Sequence, residues 1–191
     1  MDKLLYDVRK DGVKKANSIK LTEYDVKMLA ETLGTMKAMS EICQNEDDIL
    51  ALMQVSDAVQ IEGYPELQDF IGGVVDYMTT NMPQDILLET LTASYWNRNP
   101  QGSEALAFFI VIRSMLLIQE GIEPVYFEVL MDDYIPYRVK DIVVQQGKFV
   151  TKKMIKSRKD FLSSHHAVEE DDLFDMALDE DSRIRKEVFK R

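Results

Sequence analysis

Cysteine is almost missing from this chain: Cys43 stands alone among 191 residues. A single thiol excludes an internal disulfide and any cysteine-rich metal cluster, and it suits a reducing compartment. Glycine (8) and proline (5) are also scarce, as expected where turns are few and helices long. Long hydrophobic runs are lacking. The most apolar stretch, Ala105 to Ile112, is interrupted at Arg113, well short of the roughly 20 residues a membrane span needs. It reads as a buried helix. The opening stretch MDKLLYDVRKDGVKK carries charges every few residues and no apolar core, so no signal peptide is expected. Basic charge is in deficit, with 23 Lys and Arg against 34 Asp and Glu and a net charge of -11. That balance repels nucleic acid and anionic lipid at long range.

Apolar residues make up 46% of the chain, ample for a core. The eleven methionines fit adaptable helical packing. Alternation of apolar and polar residues never persists, so no strand is predicted. One helix-stop-helix pattern occurs twice. ILALMQVSDAVQIEG ends at Gly63 and is followed by YPELQDFIGGVVDYM; AFFIVIRSMLLIQEG ends at Gly121 and is followed by IEPVYFEVLMDDYI. Glycine just past a helix and proline at the start of the next are the expected stop and start residues. Pro83 and Pro136 should each open a third helix. The expected fold is all-α, a multi-helix array or bundle with two repeated helix-Gly-Pro-helix units. Residues 1–163 read as a single helical domain with repeats at 48–97 and 104–146, parted by the turn-like NRNPQGS, and 164–191 as a charged C-terminal segment.

Individual faces can be assigned. Leu4, Leu5 and Val8 mark a short amphipathic helix over 2–17. Thr22 is placed to cap the next, with Glu23 and Asp25 in its first turn and Val26, Leu29, Leu33 and Met36 on one face. Gly34 weakens that helix by roughly 1 kcal/mol relative to alanine. Asp47 or Asp48 should cap a helix with Ile49, Leu52, Met53 and Val59 as its core face, and Leu67, Phe70, Ile71, Val74, Val75 and Met78 serve the same purpose after Pro65. The Gly72-Gly73 pair is expected to mark close helix packing or a kink. Tyr95-Trp96 is expected to plug the core. Val125, Val129 and Leu130 are the expected apolar positions after Pro124, and Val139, Ile142, Val143, Val150, Met154 and Phe161 those after Pro136, with Phe149 also assigned to the core side.

Few constellations suggest chemistry. His165 and His166 precede Glu169 and Glu170, and on a helix His166 and Glu170 would share a face. Two ligands fall short of the three or four a zinc site wants, so neither metal nor cofactor is expected. Lys148, Lys152, Lys153, Lys156, Arg158 and Lys159 form a basic run that could follow a nucleic-acid backbone, against the chain's overall charge. The carboxylate pairs Asp47-Asp48 and Asp132-Asp133 are no more than such an acidic chain produces by chance. No serine, cysteine or lysine sits in a motif for nucleophilic catalysis, and a non-enzymatic protein is expected.

Residues 48–93, LALMQVSDAVQIEG, DFIGGVVDYM and DILLETL among them, resemble the cytoplasmic region of the flagellar motor stator A subunit (MotA). That family sets a helix ending in glycine before one reading loosely DFI-VDY, then a further acidic amphipathic helix. Its rotor-contacting basic and acidic residues are replaced here by Gln60 and Gln68, with Glu62 and Glu66 nearby as the candidate partner-binding residues. Its membrane helices have no counterpart, so proton conduction is not implied. The resemblance implies a cytoplasmic helical module, motility-associated, that binds a protein partner without entering the membrane. A homo-oligomer stays open, and the alternative is a nucleic-acid-associated regulator using the 148–159 run.

Overall fold

The computed structural model describes residues 2–45, 61–80 and 82–160. Residues 1–154 form one compact unit; 155–191 form another, whose described residues 155–160 are helical. Among the described residues of the first unit the regular elements are all helices: α1 (Lys3–Asn17), α2 (Glu23–Asn45), α3 (Pro65–Thr79), α4 (Gln84–Arg98), α5 (Gly102–Gln119), α6 (Pro124–Asp132) and helical residues 140–154, here α7. The all-α expectation holds.

Helix α5 is the axis. Its sequence is apolar on every side, which is the pattern of a helix enclosed by others rather than one lying on a surface. Every residue from Ala105 to Ile112 is fully buried, as are Met115 and Leu117 to within 1%. Helices α1, α2, α3, α4 and α6 all pack against it. By length and composition α5 could cross a membrane, yet 72% of it is buried within the protein. Its aromatic side chains tie the surrounding helices in. Phe108 stacks on Phe70 of α3 at 4.6 Å and meets Tyr95 of α4 edge-on at 6.4 Å, while Phe109 meets Tyr134 edge-on at 4.9 Å. Such pairs add about 0.5–1.5 kcal/mol beyond area burial.

The local signals set most helix ends. Asp2 caps α1 by accepting from the Leu4 amide at 2.7 Å. Thr22 precedes α2 and accepts from the Asp25 amide, while the Asp25 carboxylate accepts from the Thr22 amide and hydroxyl, each at 2.7 Å. This is a reciprocal capping box with aspartate as its acid. Gly63 and Gly121 take left-handed φ values of 85° and 69°, and Pro65 and Pro124 are the first residues of α3 and α6. The turn-like NRNPQGS shrinks to a tight connection: α4 runs to Arg98, Asn99 adopts φ 46°, and α5 begins at Gly102.

Other expectations need correction. Pro83 occupies the cap of α4 rather than its first turn. Pro136 opens a turn, accepting from the Val139 amide at 3.0 Å, and α7 starts only at residue 140. Here Arg138 is engaged in a long-range contact, donating to the Ala16 and Ile19 carbonyls at 3.0 Å each. A side-chain carbon on Gly73 would meet nothing within 4 Å, so close packing does not explain that glycine. The helix expected over 49–59, with its Asp47 or Asp48 cap, lies outside the described residues.

Candidate interaction surface

Helix α6 has the sequence PVYFEVLMD. Six of its nine residues are apolar or aromatic besides the proline, and they cover every side except the one that Glu128 and Asp132 share. A short helix resting on one side of a core cannot bury them all. Phe127 and Met131, one turn apart, are the two that are buried, at 1% and 0% exposure. The Met131 sulfur accepts from the Ser114 hydroxyl of α5 at 3.1 Å. Just beyond the helix, Tyr134 packs against Phe109 and lies under the Arg9 guanidinium at 4.9 Å.

A buried cation fixes the same edge. Lys37 of α2 is 5% exposed, and its ammonium binds Asp132 at 2.7 Å and Glu128 at 3.3 Å. Lys148 of α7 reaches Glu128 at 3.2 Å. Burial pushes the Glu128 carboxyl up, but the charges and hydrogen bonds of Lys37 and Lys148 outweigh it and hold it below its ordinary value. Asp133 pairs with Lys140 at 2.7 Å. The helix is therefore clamped by packing and by charge along one side.

Its other side faces solvent. Val125 is 69% exposed, Tyr126 64%, Val129 59% and Leu130 38%. Val125 and Val129, and likewise Tyr126 and Leu130, are four residues apart, so they form two adjacent rows on the outer side of the helix. Val125, Val129 and Leu130, the apolar positions expected of this helix, face outward; the inward positions are Phe127 and Met131. The long-range clamp to Lys37 decides the rotation of the helix, and no local pattern reveals it. The signal that was available is the breadth of the apolar arc, which leaves only the side shared by Glu128 and Asp132 polar in a nine-residue helix.

Two further aromatic assignments are corrected in the same way. Phe149 is 71% exposed rather than core, and Trp96 is 46% exposed while its neighbour Tyr95 is fully buried. Ile142, expected on the inner face of α7, is 52% exposed, while Val143 beside it is fully buried.

The remaining candidate residues are scattered. Glu62 is exposed and pairs with Lys27 at 2.8 Å. Glu66 is exposed in the first turn of α3, and with burial it raises the Glu104 carboxyl, burial being the larger cause. Gln68 is exposed on α3, and Gln60 lies outside the described residues. In the first unit Lys148, Lys152 and Lys153 are exposed on α7; in the second, Lys156 and Lys159 are exposed and Arg158 is buried. His165, His166, Glu169, Glu170 and Phe161 lie outside the described residues. Among the described residues no group of three or more His, Cys, Asp and Glu is placed to hold a metal.

Two carboxylates join helices to one another. Asp25, 8% exposed, accepts a short hydrogen bond from Ser103 of α5 as well as those from Thr22. Burial raises its carboxyl, but the hydrogen bonds from Ser103, Thr22 and Tyr64 together hold it below the ordinary value. One carboxylate thus joins the starts of α2, α3 and α5. Tyr95 donates to Asp11 of α1 at 2.7 Å, and Lys15 binds the same carboxylate at 2.8 Å. A shallow concavity of ≈ 660 Å³, lined by Tyr77, Glu89, Thr90, Ala93, Ser94, Asn97 and Arg98, lies along α3 and α4.

No protein-family model, curated protein or solved structure matches the chain.

Proposed function

We propose that this protein is a non-enzymatic helical interaction module of the cytoplasm, and that it receives a protein partner on the outer face of α6. The observation that carries this reading is the exposure of Val125, Tyr126, Val129 and Leu130 on a helix whose opposite side is rigidly fixed. Leaving such side chains in water forgoes up to about 1.5–3 kcal/mol each for the larger ones, and exposed apolar patches mark interaction sites. A face held by Phe127, Met131 and the Lys37 pairs needs little ordering on binding, which favours affinity. Asp25, Asp11 and Lys37 are each engaged in contacts that hold helices together, which favours a scaffold over a catalyst.

The likeness of residues 48–93 to the stator A cytoplasmic helices makes a motility protein one candidate partner. We also propose that residues 48–97 and 104–146 are related helix-Gly-Pro-helix units, supported by the shared left-handed Gly63 and Gly121 and the helix-opening Pro65 and Pro124. Site-specific photocrosslinking in the source cell tests the functional reading. A photoreactive residue at Val129 should yield a discrete protein adduct from the soluble fraction, whereas one at exposed Lys3 should not. A nucleic-acid adduct from Lys152, with none from position 129, would transfer the case to the 148–159 basic run.

A further inference from the structure

We infer that the partner seated on α6 is a cationic amphipathic helix of a second protein, an inference that rests on the interaction reading above. The shape of the face comes first. A nine-residue helix is about 14 Å long, and Val125, Tyr126, Val129 and Leu130 form a convex apolar strip along it. A strip of that form is complemented by a helix laid alongside, whose own residues at three- and four-residue spacing enter between these side chains.

Charge then selects the sign. Between Ser114 and Tyr137 the sequence holds Glu120, Glu123, Glu128, Asp132 and Asp133 and no basic residue. Glu123 and Asp133 are exposed at the two ends of α6. Lys37 offsets Glu128 and Asp132 from beneath, with only 5% of its side chain exposed, so their carboxylates rather than its ammonium border the face. Lys140 and Lys148 each hold one carboxylate at the edge, and Arg113 holds Glu120 at 3.9 Å, so Glu123 and the outward sides of these carboxylates carry the negative rim. A second copy of this chain is a poor occupant. An isologous antiparallel pairing of α6 would set Glu123 of each copy against Asp132 and Asp133 of the other, and each chain carries -11. Like-charge juxtaposition of this kind suppresses pairing, while a cationic partner gains both rim complementarity and steered approach. Anionic lipid is repelled by the same field.

The test uses the full-length protein and two designed peptides: an amphipathic leucine-lysine helix and its leucine-glutamate counterpart. The leucine-lysine peptide should bind, and binding should weaken at least tenfold in the double variant Val125→Ser, Val129→Ser while circular dichroism stays unchanged. It should also weaken at least tenfold as ionic strength rises from about 0.05 to about 0.5 M. Equal binding of both peptides, lost in the double variant, would overturn the cationic partner while leaving α6 as the interaction face. A dimer in sedimentation that dissociates in the double variant would do the same in favour of a second copy. Peptide binding indifferent to the double variant would overturn this inference together with the α6 face. Binding to phosphatidylcholine vesicles through the same residues would replace a protein partner with a lipid surface.

Discussion

A methyl group on Gly34 would stand 2.6 Å from the carbonyl oxygen of Gly147, and as close to the Val150 side chain. Helices α2 and α7 cross with their backbones in contact, and Thr151 donates from the crossing to both the Gly34 and the Gly147 carbonyl at 3.0 Å. The glycine that weakens α2 in isolation is what permits the crossing. Gly34→Ala should therefore destabilise by about 1–3 kcal/mol through overpacking, against at most about 1 kcal/mol gained in helix propensity. Gly73→Ala, where the added carbon meets nothing within 4 Å, should stabilise by about 0.5–1 kcal/mol. Urea unfolding of the two variants should give opposite signs. The same sign for both would refute the assignment of the two glycines.

These two glycines illustrate what the sequence makes legible. The capping box at Thr22, the stop at Gly121, the left-handed turn at Gly63 and the starts at Pro65 and Pro124 are local, so residue identity reveals them. The buried face of α3 followed from periodicity because that helix carries a clear apolar surplus on one side, whereas α2 is buried on every side from Thr32 to Ser40 and not only along the expected row of Leu29, Leu33 and Met36. Contacts across long stretches of chain did not show. Lys37 meets residues 91 and 95 positions away, and that clamp decides which side of α6 faces water. Phe149 and Trp96 misled for a related reason: an aromatic side chain counts as core in any pattern, whatever it meets in space. The candidate surface was thus written in the composition of α6, and its orientation was not.

The carboxylate of Asp25 gives a pH signature. Its folded value lies below the ordinary 3.8, so its contribution is complete at neutral pH and is lost as pH falls below about 4 through the folded value. Asp25→Asn should cost about 1–3 kcal/mol at pH 7, because buried donors lose their charged acceptor. The gap between the wild type and this variant should narrow in acid, where the wild-type carboxyl is protonated as well. A gap independent of pH would show that packing, not charge, gives Asp25 its effect.

Cys43 should be a sluggish thiol. Burial pushes it up to about 11 from an ordinary 9.0, so at neutral pH the reactive thiolate is about 100-fold rarer than in a free cysteine. Labelling with a disulfide reagent at pH 7.5 should proceed about 100-fold more slowly in the native protein than in urea, and should accelerate as pH rises toward 11. Rapid native labelling at neutral pH would contradict the burial of this side chain.

The two sides of α6 should respond oppositely to truncation. Phe127 is 1% exposed and lies within the apolar core; Phe127→Ala leaves a cavity and should cost about 3–5 kcal/mol. Val125 and Val129, at 69% and 59% exposure, contribute little to the folded chain alone, and Val125→Ser with Val129→Ser should change stability by no more than about 0.5 kcal/mol. The contrast separates folding from binding, because the serine variant keeps the scaffold and removes only the apolar strip. If that variant instead unfolds as readily as Phe127→Ala, the strip belongs to the fold, and α6 offers a partner nothing to hold.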